Sequence, residues 1–337
     1  MVQLIFLNNG SNIIILLFLI SLLFKNIIAL TSGTKSFTTV SGIPVSRYGL
    51  GGAARSTQPS SLPLTYFNEI QKRNEEDDVA PFYFYYNPHR YPNFMSGIKQ
   101  IATCSNKNKR EDMFIASGGT DRSIDGLNQR LMDCLDYCGG KYLDLFVLEY
   151  VCPDELDDTM NPGLELATAL KYVRKSWIEN ENQTVRYIGI STHSHLVGKV
   201  LASCHEVDIL MLRYGMSHKD AAEKLSLPSA MKYNKPVIAF TTTRWNRLQQ
   251  PQQQNDNYSV NDNVPTTADC LSFVFGTTPP IEAVLHSARD EEELIESLSG
   301  LRQLSNKEEL KWRDYGTIFE ELNDDDFDEY PNERLEL

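Results

Sequence analysis

From about Val45 onward, short runs rich in β-branched and aromatic residues alternate with longer stretches whose apolar positions fall at helical spacing. The strand-like runs are VSRYGLGG (45–52), PFYFYY (81–86), MFIASGG (113–119), YLDLFVLEYV (142–151), RYIGIST (186–192), VDILMLRY (207–214), KPVIAFTTT (235–243) and IEAVLHSA (281–288). Among the intervening stretches, SIDGLNQRLMDCLDYCG (123–139) sets Leu127, Leu131, Cys134, Leu135 and Cys138 along one helix face. Such alternation builds a parallel sheet with crossover helices. Eight strands in roughly 245 residues fit the size of a (β/α)8 TIM barrel. A doubly wound open sheet is the alternative, but no GxGxxG follows the first strand, and GLGGAARS (49–56) has a different spacing.

The same pattern predicts three regions: a leader over 1–42, a barrel over 43–304, and a C-terminal helix with an acidic tail over 305–337. Inside the barrel, QQPQQQNDNYSVNDN (249–263) is a polar, low-complexity insert after the seventh strand. NKEELKWRDYGTIFEEL (306–322) predicts an amphipathic helix that packs through Leu310, Tyr315, Ile318 and Phe319.

Composition narrows the function. A net charge of −13 over 337 residues argues against nucleic acid as a partner, because neutralising phosphates needs a basic surface. Six cysteines are too few for a disulfide scaffold, and Cys134 and Cys138, one helical turn apart, have no second pair to complete a zinc site. No acid precedes Glu69. Within that acid-free stretch, IIILLFLISLLF (13–24) is an apolar core of signal-peptide length, Ala29 offers a small residue for cleavage, and TSGTKSFTTVSG (31–42) has transit-peptide composition. Together these predict a two-part leader of the kind that leads to a plastid, with secretion or an endomembrane lumen as the alternative, and no stable membrane association after processing.

VSRYGLGG, YLDLFVL, VRYIGIS, the VDILMLRY run, VIAFTTTRWNRL and the closing SARDEEELIESL, in this order and spacing over roughly 46–301, resemble the aldo-keto reductases. The runs LMLRYGMSHKDAAE and AFTTTRWNRL look most like a divergent branch of that superfamily. The resemblance implies an aldo-keto reductase-like barrel that binds NADP (as NADPH) and reduces a small carbonyl compound or activated alkene. It also implies where the chemistry sits. The family's acid, a tyrosine five residues beyond an aspartate, corresponds to Tyr91, and the aspartate position holds Tyr86. The family's lysine is replaced by Gly118 and its histidine by Glu149, a residue that steroid 5β-reductases of the family also carry there.

Without the lysine, a phenol with an ordinary pKa of about 10 is a poor acid. Glu149 lies in the apolar run FVLEYV, where burial would keep a carboxyl protonated and able to donate to a developing oxyanion. On the cofactor side, the resemblance places Ser191 and Thr192 at the nicotinamide carboxamide, Phe240 on its ring, and Thr241 and Arg244 at the barrel mouth. It places Ser287 and Arg289 at phosphates and Glu296 near the adenine. Met211 replaces a glutamine. His193 and His195 flank Ser194 at the end of the fifth strand, where capping or pocket lining suits them better than metal binding. Two other functions fit the same residues: a nucleotide-binding barrel that has lost turnover, and a non-redox isomerase or lyase using Glu149, Tyr86 and the histidines.

Overall fold

The computed structural model describes residues 33–52, 58–73, 78–85, 90–103, 110–140, 142–244, 246–249, 264–277 and 281–320. Its strands are β1 (Gly33–Thr38), β2 (Pro44–Gly51), β3 (Ala80–Tyr85), β4 (Phe114–Gly119), β5 (Leu143–Leu148), β6 (Val185–Thr192), β7 (Ile209–Arg213), β8 (Val237–Phe240) and β9 (Ile281–His286). β2 to β9 pair in parallel in sequence order, and β9 returns to pair with β2, so the sheet closes into an eight-stranded barrel. Each strand predicted from the residue pattern is present. Closure also removes the open-sheet alternative.

The helices relevant to the site are α1 (Leu62–Arg73), α2 (Pro92–Ala102), α3 (Ile124–Tyr137), α4 (Leu164–Val173), α5 (His195–Leu201), α6 (Leu227–Lys232), α7 (Thr267–Gly276), α8 (Glu291–Ser299) and α9 (Asn306–Glu320). α3 starts where predicted: the Ser123 hydroxyl accepts from Gly126 N and caps the first turn, and Leu127, Leu131 and Cys134 are buried against the sheet. Leu135 packs there in part, and Cys138 is fully enclosed.

Alternation along the strands divides the core in two. Residues pointing outward, such as Ile115, Phe146, Ile188 and Leu210, meet the helices, while those pointing inward fill the barrel. The lowest inner layer is aromatic: Phe82 and Phe114 meet edge-on at 5.3 Å, and Phe37 of β1 lies 5.2 Å from Phe114. Phe37 is buried, so β1, antiparallel to β2, closes the barrel floor. The folded unit therefore reaches back to Gly33, and residues 33–42, assigned above to the leader, include a core strand because their hydroxyl-rich pattern carries one apolar plug at Phe37.

Two further features differ from the sequence reading. Gln249 belongs to a short helical turn that donates back to Asn246 O, so the described fold continues to that residue; the rest of the polar insert lies outside the described residues, as does the acidic tail beyond Glu320. In α9 the packing side is the expected one only in part. Leu310 is 62% exposed, whereas Trp312 is buried, Tyr315 packs against the core, and Gly316 lies against the Met216 backbone. Leu310 falls outside the packing face because buried Trp312 sets the phase of the helix. The side chains of Ile318 and Phe319 lie outside the described residues.

Candidate active site

In barrels of this type the chemistry sits at the C-terminal ends of the strands. Tyr91 is there: it caps α2 just past β3, accepts from Met95 N through its carbonyl, and lays its ring against Gly52, where a Cβ would stand 3.2 Å from the ring. Only 6% of it is exposed, and it belongs to the layer between sheet and helices. Tyr86 lies outside the described residues.

Gly118 departs from the expectation of a merely missing side chain. A Cβ at this position would stand 1.9 Å from the carbonyl oxygen of Val147 on β5. The backbones of β4 and β5 approach so closely that no side chain fits, lysine included.

Glu149 is 2% exposed, as its apolar surroundings in the sequence suggested. Burial holds its carboxyl well above the usual carboxylate range, outweighing the pull of Arg130 and Arg122 in the other direction. These two arginines come from α3 and the loop before it, and Glu149 lines a cleft of about 820 Å³ between α3 and α4 in which Tyr91, Ser191, Phe240 and Arg244 take no part. The structure thus brings Glu149 to the α3 side of the barrel wall and does not join it to Tyr91. The next residue turns instead. Tyr150 has φ 52°, a left-handed conformation, and its ring lies 5.3 Å from His193, which lies 5.5 Å from Phe240. Tyr150, His193 and Phe240 form an aromatic row at the mouth.

Beside this row stands a basic cluster. Alternation on β7 turns Met211 inward, where it is buried among the barrel-filling residues, and carries Arg213 to the strand end at 7% exposure. Arg213 Nε donates to His218 Nε2 at 3.0 Å. Burial, then Arg213 and Arg244, then His195 and His193, keep His218 well below its ordinary pKa; burial and Arg213 push His195 down to about 4. Both imidazoles are neutral near pH 7, so the charge of the cluster is carried by two guanidiniums. Arg244 is 2% exposed, with φ 51°. The turn that delivers it begins at Thr241, φ 59°, whose carbonyl accepts from Arg244 N. Two left-handed residues without a glycine are an uncommon expense of backbone energy, of order 1–3 kcal/mol each, and cluster at sites where position matters.

The hydroxyls proposed for the carboxamide are engaged locally. Ser191 Oγ accepts from Tyr150 N at 3.2 Å, and Thr192 Oγ1 donates to Val151 O at 2.7 Å. They fix the turned segment 150–151 to β6. His195 Nδ1 pairs with Ser226 Oγ at 3.0 Å at the start of α5, a capping-region role rather than a ligand position.

At the opposite rim, Ser287 and Arg289 precede α8 at the surface. Ser287 Oγ reaches Gly52 O at 3.4 Å, which brings the ends of β2 and β9 together. Arg289 is 70% exposed and its Nε donates to Glu293 at 2.8 Å. Burial opposes ionisation of Glu293, but hydrogen bonds from His286 and Arg289 bring it down to about 2. A carboxylate therefore already occupies the Arg289 guanidinium. Glu296 is exposed one turn further along.

Arg213, His218, Tyr150 and Arg130 were missed in the sequence. Period-two alternation from Met211 would have found Arg213. The others depend on a positive φ and on loop geometry that no local pattern carries.

No family model matches the sequence. No curated protein matches it either. Solved structures do: an aldo-keto reductase from Bacillus halodurans superposes with a TM-score of 0.58 at 14% identity, covering 84% of this chain and 96% of that one. The glycerol dehydrogenase of Gluconobacter oxydans gives 0.57 at 14% identity over 85% and 95% of the two chains. An aldo/keto reductase from Klebsiella pneumoniae, in complex with NADP and acetate, gives 0.58 at 14% identity over 85% and 96%. The chain has the aldo-keto reductase fold.

Proposed function

We propose that this protein is an NADP-dependent oxidoreductase with an altered active site, acting on a small carbonyl compound or activated alkene. One observation carries the reading: Arg213 and Arg244 are buried beside neutral imidazoles at the mouth, by the Tyr150–His193–Phe240 row. The nucleotide bound by the Klebsiella protein of the same fold supports the choice of cofactor.

The mouth suits the nicotinamide end of the nucleotide. Phe240 offers a ring face, Ser191 a hydroxyl and Arg244 a fixed positive charge. At the far end Arg289 must exchange Glu293 for a phosphate. When bound, the cofactor supplies a hydride. The chain's part is to receive the negative charge that collects on the substrate oxygen, and a guanidinium fixed in a poorly solvated site does this without reorganising. Arg213 takes that role, and Tyr91 returns the proton. A catalytically idle nucleotide-binding barrel is the second reading, favoured by the backbone at Gly118, which leaves Tyr91 without a lysine.

Fluorescence titration should show NADPH binding more tightly than NADH. Arg289→Ala should weaken NADPH by about tenfold, the lower end for a charge-assisted hydrogen bond, and leave NADH unchanged. Binding of neither nucleotide would leave the non-redox barrel enzyme; NADPH bound but never oxidised with any carbonyl or enone would leave the idle barrel.

Import into a plastid is proposed from the leader's composition, with secretion or an endomembrane lumen as the alternative. Because β1 closes the floor, processing should end before Gly33. Mass spectrometry of the mature chain checks this, and a start beyond Phe37 would contradict it.

A further inference from the structure

The cleft between α3 and α4 adjoins the mouth through Tyr150, but the chemistry proposed above uses none of its other lining residues. Its volume, about 820 Å³, is that of a small-molecule site. One wall is rigid: Arg122 donates to Glu155 through Nε at 2.7 Å, to Glu149 O at 2.7 Å and to Gly119 O at 3.3 Å. Two lining residues, Glu149 and Arg130, each carry a buried atom with no hydrogen-bond partner among the described residues, Glu149 Oε1 and Arg130 Nη1. A buried polar atom left unmatched costs about 1–3 kcal/mol, so such a pair calls for a third group.

The chemistry of that group follows from what surrounds it. It must accept from a guanidinium and engage a carboxyl, and a hydroxyl can do both. Asp121, Asp133, Asp154, Glu155 and Glu165 join Glu149 in the lining, against Arg122 and Arg130 alone, so an anion is repelled. No three of the described His, Cys, Asp or Glu side chains are grouped to hold a metal ion. Separated carboxylates suit separated hydroxyls, and Tyr150, 38% exposed on the same lining, offers a ring face. The geometry points to a binding site for a neutral polyhydroxyl compound, a sugar or polyol, held by Arg130 and Glu149.

Calorimetric titration of the full chain with glucose, galactose, inositol and glycerol tests this, with spermidine as the cationic comparison. At least one of the four should give a saturable isotherm, weakened about tenfold or more in Arg130→Met, the loss expected for a hydrogen bond to a charged group. Asp154→Asn, at the exposed rim, should weaken the same ligand with the melting temperature unchanged, which separates a lost contact from a lost fold. Absence of binding by all four means that water alone fills the cleft and overturns the proposal. Preference for spermidine, or binding unaltered in Arg130→Met, overturns it as well. None of these outcomes depends on whether the mouth binds a nucleotide.

Discussion

Replacing Asp144 with alanine should lower the stability of the barrel by about 3–5 kcal/mol, the usual cost of removing one member of a buried ion pair. Asp144 is fully buried on the outer side of β5. Its Oδ2 accepts from Arg110 Nη1 at 2.8 Å and from Ile115 N at 2.9 Å, and its Oδ1 accepts from Arg186 Nη1 at 2.9 Å. Arg186 also donates to the carbonyls of Thr38 and Thr39, next to the β1 plug. One carboxylate thus connects β4, β5 and β6 to the barrel floor. Its loss leaves two poorly solvated guanidiniums facing each other and frees Ile115 N. Asp144→Asn keeps an acceptor for Ile115 N but not the charge, so it should fall between alanine and the native chain. Denaturant midpoints check the order; a loss below about 1 kcal/mol for alanine would show that the arginines find other partners.

Asp144 also marks the limit of what the sequence discloses. The strands were legible because apolar and β-branched runs at regular spacing are a local signal, and a barrel whose strands are buried on both faces makes that signal strong. A single Asp inside YLDLFVL gave no hint of its two arginine partners, which come from 34 and 42 residues away along the chain. That separation hides the candidate site too. Arg213 could have been phased from Met211, since both lie on one strand. The pairing of Arg213 with His218 and the approach of Arg244 depend on the turn after β8, where Thr241 and Arg244 adopt left-handed conformations that their residue types do not announce. Glu149 shows the two sides together. Its burial was legible from FVLEYV, but its direction was not, because the left-handed turn at Tyr150 sends the tyrosine to the mouth and leaves the carboxyl facing α3.

Placing a lysine at position 118 should fail. Gly118→Lys would supply the lysine that the resemblance to aldo-keto reductases leads one to expect at this position, and the expected result is a less stable protein with no gain in turnover. The reason lies in the backbone. Gly118 pairs with Val147, and a Cβ would stand 1.9 Å from Val147 O, 2.8 Å from Val147 C and 3.0 Å from Glu149 Oε1. The nearest of these are main-chain atoms of a central strand, which cannot turn aside as a flexible side chain would. Even Gly118→Ala must push β4 away from β5 and strain the bond from Glu149 N to Gly119 O, 2.9 Å. Overpacking of this kind costs about 1–3 kcal/mol or more, so alanine alone should lower the denaturant midpoint, and lysine should lower it further by bringing an ammonium into a dry wall. Rates with NADPH and a panel of carbonyl compounds, measured beside those midpoints, decide the matter. A Gly118→Lys protein as stable as the native chain, with reductase activity newly gained or raised, would mean that only a side chain had been missing. Lower stability in both variants without new activity would mean that the strand pairing at Gly118 leaves no room for a side chain, and that any proton transfer at this mouth proceeds without a lysine from β4.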